Sequence, residues 1–190
     1  MTDHTTVYLV RHPETLWNAE GRCQGHADSD FTERGHAQLR ELVSSLACVP
    51  FDAAYTSPLG RAHRTATALL AAARLRALRV RALAELSYGD LNGSRCADWP
   101  ATLQRAWADE PCSVRFPNGE SLADLCGRVV PAFHDIVAAH VGDTVLISSH
   151  GHVNRVLILD VEERPLEDFW HVEQSNATAL RLAYVPTVRT

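Results

Sequence analysis

The sequence predicts an α/β fold built from βαβ units around a largely parallel sheet, and three observations carry that reading. Val7–Val10, Ala53–Thr56 and Thr144–Ile147 are apolar runs of strand length, each ending abruptly in small or polar residues. Between them lie segments whose apolar residues recur at helical spacing, and strands that alternate with helices point to parallel pairing. The 190 residues suit one domain, long enough to bury roughly 70% of its unfolded surface without a disulfide or metal staple.

The elements follow in order. A helix is predicted from Thr32 to about Cys48, with Leu39, Leu42, Val43 and Leu46 as its apolar stripe. A second begins near Pro58, a favoured residue in a first helical turn, and its buried face reads as Ala62, Ala66, Leu69, Leu70 and Ala73. A third follows Ser121, the expected N-cap, and keeps its period through Leu122, Leu125, Val129, Phe133, Ile136 and Val137. Pro131 is expected to kink or break it. A fourth opens at Gly151 with Val153, Val156 and Leu157 inward, and the segment Ala177 to Val185 alternates as an edge strand would. Residues 86–117, punctuated by Gly89, Gly93, Pro100, Pro111 and Pro117 and carrying Trp99, Trp107 and Phe116, read as a lid-like excursion over the strand ends. The three aromatics hint at an apolar or ring-bearing ligand group, although packing alone would also account for them.

Composition narrows the function classes. A net charge of -5 argues against a nucleic-acid partner, which would ask for a basic stripe. No apolar run approaches the ~20 residues of a membrane span. The five cysteines, Cys23, Cys48, Cys96, Cys112 and Cys126, stand far apart in sequence without a Cys-x-x-Cys pair. With no signal peptide apparent, they read as reduced thiols in a cytoplasmic protein. Oligomeric state is open, a homodimer being compatible with the sequence.

Chemistry concentrates where the strands end. In open α/β sheets ligands bind beyond the carboxyl ends of the strands. There this chain places Arg11-His12-Pro13-Glu14-Thr15, Ser57-Pro58-Leu59-Gly60-Arg61 and Ser148-Ser149-His150-Gly151-His152. Arg11 and Arg61 form a clamp for a doubly charged anion, because guanidinium meets phosphate oxygens through paired charge-assisted hydrogen bonds. A unit charge pair at ~4 Å contributes roughly 4 kcal/mol at an effective dielectric of 20. Arg64, one turn on, reads as a solvated ion pair. His12, held extended by the proline after it, is a nucleophile kept neutral by cationic neighbours. His150, ahead of a helix N-terminus, suits an anion and a transition-state donor role. His150-Gly151-His152 also reads as a metal pair, but no further ligand stands at suggestive spacing. Glu85 can serve as proton donor and acceptor, and from the residues alone Asp90 serves equally well.

Four segments then resemble the histidine phosphatase superfamily, the group of cofactor-independent phosphatases and cofactor-dependent phosphoglycerate mutases. They are Arg11 to Asn18 with Glu20 to Gly25 and Thr32 to Gly35; Ser57 to Ala66; Ala84 to Gly93; and Ser149-His150-Gly151. Order and spacing match over nearly the whole chain. The resemblance implies a three-layer α/β/α sandwich with a mostly parallel central sheet, and a phosphohistidine mechanism that needs no metal or other cofactor. It makes His12 the attacking residue, Arg11, Arg61 and His150 the holders of the phosphoryl group, and Glu85 the proton donor and acceptor. Asn18, Gln24 and Gly25 would line the phosphate side, and Gly151 would add a backbone amide. Pro13 departs from the pattern, where glycine usually follows the histidine, and removes one backbone donor. His152 stands where a smaller residue is common and is expected to narrow the pocket.

The leading function is therefore a phosphomonoesterase acting on a small phosphate ester. A phosphoglycerate mutase is the alternative, supported by Tyr88-Gly89 but short of cations, since Arg95, Arg105 and Arg115 are the basic residues between Leu86 and Glu120. A catalytically silent phospholigand-binding protein is the third reading, on Pro13 alone.

Overall fold

A computed structural model of the chain describes residues 4–73 and 75–185. The core is a five-stranded sheet made of β1 (Thr5–Arg11), β2 (Ala53–Thr56), β3 (Leu78–Arg79), β4 (Thr144–Ser149) and β5 (Ala179–Tyr184), in the order β3-β2-β4-β1-β5. The first four are parallel, and β5 closes the edge antiparallel to β1. The registers Arg11↔Ser149 and Thr56↔Ser148 bring the ends of β1, β2 and β4 level. The three segments predicted to carry chemistry therefore meet at one edge.

The two-residue period of the strands makes two cores. Val7, Leu9, Val145 and Ile147 point to one face, where α5 (Leu122–Ala139) and α6 (Gly151–Val161) pack. Val10, Ala54 and Leu146 point to the other, against Leu42 and Leu46 of α2 (Glu33–Leu46) and Leu70 beyond the end of α3 (Gly60–Leu69). The result is an α/β/α sandwich with a mostly parallel sheet, as expected.

Local chemistry explains the element ends. Thr32 caps α2 by accepting from Gly35 N. Ser121 and Asp124 form a reciprocal capping box on α5. Two expectations need correction, and one element is new. The helix after Pro58 stops at Leu69, so Ala73 lies outside it and is exposed. Pro131 does not break α5: the proline lies inside a continuous helix, anchored on both sides by buried Val129 and Phe133. A single helical turn, α1 (Leu16–Ala19), was not read from the sequence; a capping box between Thr15 and Asn18 stabilises it.

Residues 86–117 are short helices, with 3-10 turns at Gly89–Leu91, Cys96–Asp98 and Pro111–Ser113 and the helix α4 (Ala101–Asp109). Trp99, Trp107 and Phe116 are buried in the main core with Tyr88, in edge-on or tilted ring contacts 4.8–5.9 Å apart. The excursion is thus a packed layer. Trp99, Trp107 and Phe116 hold it to the domain and do not line the cavity described next.

Candidate active site

The level strand ends open into a cavity of about 240 Å³, lined among others by Arg11, His12, Asn18, Gln24, Gly25, Arg61, Glu85, Gly151 and His152. That is below the ~300–1,000 Å³ of sites for drug-sized ligands, so it suits a small ester. His150 does not line this cavity. It is fully buried beside His12, ring centroids 5.4 Å apart.

His12 directly follows β1 and is almost fully buried. Its Nδ1 lies 2.8 Å from Pro13 O. A carbonyl only accepts, so Nδ1 carries the proton and Nε2 presents its lone pair. Arg61 Nε donates to that Nε2 at 3.2 Å. Burial, then the Arg61 and Arg11 charges, push the imidazole well below its ordinary value and keep it neutral. The proline lacks the amide but keeps the carbonyl that orients the histidine, so tautomer control survives the substitution.

Arg61 lies in the first turn of α3, is buried, and spreads its fork over four acceptors. Besides His12, Nη1 donates to Ala27 O at 2.6 Å and Asp28 Oδ1 at 2.9 Å, and Nη2 donates to Gly25 O at 2.8 Å. Asp28 also accepts from the Gly60 and Arg61 backbone amides. It does the capping that Leu59, with no polar side chain, cannot do for α3. Gly25 has a φ of +50°, and a Cβ there would overlap Asn92 Oδ1. Glycine is therefore required where this carbonyl meets Arg61.

Arg11 reaches the other wall. Its Nη1 donates to Gln174 O, while Nε is buried without a partner among the described residues. Gly151 lets it lie there: a Cβ at that position would come 3.2 Å from Arg11 Cζ and 3.3 Å from Nε. His150 precedes α6, with Nε2 2.7 Å from Ser57 Oγ and Nδ1 unpartnered among the described residues. Burial and then the Arg61 charge push this imidazole well below its usual range, so it too is neutral. Asn18 Oδ1 is committed to Thr15 and Asn176, and Gln24 to Thr15 and Ser29. Both side chains thus brace the wall that they line.

Glu85 is the carboxyl group of the cavity. Asp90 instead accepts from Asn118 Nδ2 and is not among the cavity-lining residues. Burial alone would raise the Glu85 carboxyl, but His152 and the Leu86 amide outweigh it and hold the group well below the usual carboxylate range. His152 Nδ1 lies 3.3 Å from Glu85 Oε2, and its Nε2 lies 3.3 Å from Tyr88 OH. The segment carrying Glu85 is held by Arg128, which donates to Ala82 O, Ala84 O and Glu85 O while pairing with Glu120 at 2.7 Å. His26 Nε2 donates to the same Glu85 carbonyl at 2.8 Å.

The order of these motifs is matched by what the chain resembles. The model of the histidine phosphatase superfamily (branch 1) matches residues 7–188. The chain belongs to that superfamily. Phosphoserine phosphatase 1 of Hydrogenobacter thermophilus is 33% identical over 176 residues, covering 90% of this chain and 83% of its own. The 2,3-bisphosphoglycerate-dependent phosphoglycerate mutase of Mesorhizobium japonicum is 35% identical over 182 residues, covering 88% and 86%. Among solved structures, the alpha-ribazole phosphatase from Shigella flexneri superposes with a TM-score of 0.81 at 28% identity, covering 93% and 89%.

In this member of the superfamily, sequence reasoning missed several residues around the cavity. Asp28 and Arg128 support the site without lining the cavity, and neither stands in a segment that suggested it. Arg22 and Arg155 both line the cavity. Arg22 pairs with Glu20 at 2.5 Å. Arg155 donates to Val172 O and lies over the Trp170 ring at 5.0 Å, and it makes no ion pair among the described residues. Helical spacing held the only clue to Arg155, which lies one turn after Gly151 on α6. Arg64 is paired with Asp30 at 2.8 Å in an exposed position, as its spacing suggested.

Proposed function

We propose that this chain hydrolyses small phosphate monoesters through a phosphohistidine formed on His12 Nε2. The observation that carries the reading is a neutral, buried imidazole whose Nε2 accepts from Arg61 Nε in a small cavity also lined by Arg11 and Glu85. The phosphate displaces the Arg61 Nε bond from His12, and that N–H then donates to a phosphoryl oxygen. Arg11 Nε and His150 Nδ1, both buried and unpartnered among the described residues, supply further donors, His150 from its place beside His12. As His12 attacks phosphorus, the ester oxygen leaves and takes a proton from Glu85. Glu85 rests as a carboxylate, and the proton it delivers is the one the phosphate monoanion brings in, passed to Glu85 as the ester binds beside it. A water then attacks the phosphohistidine, giving its proton to Glu85, and phosphate leaves with His12 restored.

The cavity also points to substrates with a second acidic group. Arg155 lines its wall with no carboxylate partner among the described residues, and a substrate carboxylate or phosphate would supply one. The mutase alternative shares that need. The phosphatase reading is favoured because Arg95, Arg105 and Arg115 of the excursion do not line the cavity, and Arg115 is tied to Asp124 at 2.6 Å.

His12→Ala should abolish release of phosphate from p-nitrophenyl phosphate while leaving the unfolding temperature within a few degrees of wild type; unimpaired turnover would falsify the mechanism. Given 3-phosphoglycerate, the wild-type protein should release inorganic phosphate, whereas 2-phosphoglycerate as the main product would establish the mutase. Arg155→Met should raise KM for O-phosphoserine or 3-phosphoglycerate by roughly 10-fold or more and leave p-nitrophenyl phosphate nearly unaffected. Equal loss on both would remove the acidic-substrate reading alone.

A further inference from the structure

Cys23 and Cys96 are 73 residues apart in sequence, yet their Sγ atoms lie 3.1 Å apart. The backbone sets this contact. Cys23 N donates to Ser94 O at 2.9 Å, Gly93 N donates to Cys23 O at 2.7 Å, and Arg22 bridges antiparallel to Arg95. Two segments, one leading to Gln24-Gly25 and one in the excursion, are thus clamped side by side. Both cysteines line the same cavity as His12, Arg61 and Glu85. Cys23 is buried and Cys96 is exposed, so one sulfur is open to a reagent and the other waits behind it.

We propose that Cys23 and Cys96 form a reversible dithiol–disulfide site at the rim of the phosphate cavity, oxidised by hydroperoxides. The thiolate of Cys96 attacks a peroxide oxygen, the O–O bond breaks, and Cys96 becomes a sulfenic acid as one water forms. The Cys23 thiol attacks that sulfur, the S–O bond breaks, and a second water leaves. Two thiols and one hydrogen peroxide thus give one disulfide and two waters. The chemistry of the pair suits these roles. The hydrogen bond from Cys23 lowers the Cys96 thiol to about 7, whereas the same contact and burial raise Cys23. The exposed member is therefore the nucleophile and the buried one resolves it. A disulfide bond is about 2.05 Å long, so closure draws the excursion roughly 1 Å toward the Cys23-Gln24 rim. That movement narrows the entrance to the cavity.

The test treats the full-length reduced protein with hydrogen peroxide and follows three readouts. Mass spectrometry without reductant should find a loss of about 2 Da and a peptide joining Cys23 to Cys96. The unfolding temperature should rise by at least about 5 °C, because the cross-link restricts the unfolded chain. kcat/KM on p-nitrophenyl phosphate should fall at least about threefold and return with dithiothreitol. Cys96→Ser should keep its own activity through the same treatment. Cys23→Ser should instead accumulate sulfenic or sulfinic acid at Cys96, and if burial makes that variant unstable, Cys96→Ser alone decides. Over-oxidised Cys96 without a cross-link in wild type, or a disulfide to Cys48, Cys112 or Cys126 instead, would overturn the assignment. The third readout alone rests on the phosphatase reading; a cross-link in a protein inert to phosphate esters would uphold the site and count only against that activity.

Discussion

Replacing Arg61 with lysine keeps the positive charge and removes the fork, and so separates two explanations of the same residue. If net charge alone mattered, the variant would behave much like wild type. The structure says otherwise. The guanidinium serves His12 Nε2 through Nε and three acceptors on the 25–28 loop through Nη1 and Nη2. A lysine ammonium is a point donor and can meet about two of these at once. Charge-assisted hydrogen bonds contribute roughly 1.5–3 kcal/mol each, so two lost bonds amount to about 3 kcal/mol at the lower end. The lower end applies because the Asp28 side chain, 37% exposed, regains water. For a domain of this size, about 3 kcal/mol lowers the unfolding temperature by roughly 6–12 °C. Losing the same amount in the transition state lowers kcat/KM by about 10²-fold. Thermal unfolding followed by circular dichroism, and initial rates on p-nitrophenyl phosphate, measure the two. An Arg61→Lys protein melting within about 2 °C of wild type, with kcat/KM within about threefold, would refute the assignment of the fork as the organiser of the site.

Two further outcomes follow from the same geometry. His12 and His150 are both held below their ordinary value of 6.5. Below that value the unfolded chain binds protons that the folded chain refuses, so stability falls as pH drops from 6.5 toward the folded values. Glu85, also depressed, adds a loss of the same sign below its ordinary 4.5, where the unfolded carboxyl protonates first. Unfolding temperature should therefore decline between about pH 6.5 and 5, less steeply in a His150→Asn protein; a flat profile in wild type would contradict two buried neutral imidazoles. Gly151→Ala places a methyl 3.2 Å from Arg11 Cζ, and should lower kcat/KM by roughly 10-fold through displacement of Arg11 while shifting the unfolding temperature by no more than about 3 °C. Unchanged kinetics there would mean that Arg11 need not hold its position.

Much of the architecture was legible because it is local. Strand runs of period 2, the helical stripe ending in Leu42 and Leu46, and the caps at Thr32 and Ser121 are set by residues within a few positions of one another. The same holds for His12, Arg61 and His150. Each stands at a strand end or a helix start, where the sequence signal is strongest, and parallel pairing makes those ends coincide. Glu85 was separable from Asp90 only by resemblance, since both sit in one turn-rich segment.

What the sequence could not decide depends on contacts between distant segments. Asp28 acts as cap and ion-pair partner for α3 because its loop folds across 32 residues to Gly60, and no periodicity records that approach. Arg128 faces the Glu85 segment only once α5 has docked on the sheet. The aromatics of residues 86–117 allowed either a ligand face or packing, and contacts with Tyr88, and of Trp107 with Phe169 and His152, made them core. Two thiols read as isolated became neighbours when an antiparallel bridge aligned their segments. Short-range spacing settles which groups exist and which elements carry them; which of them touch is a property of the folded chain, since hydrogen bonds and ion pairs are fixed by distances that only tertiary packing creates.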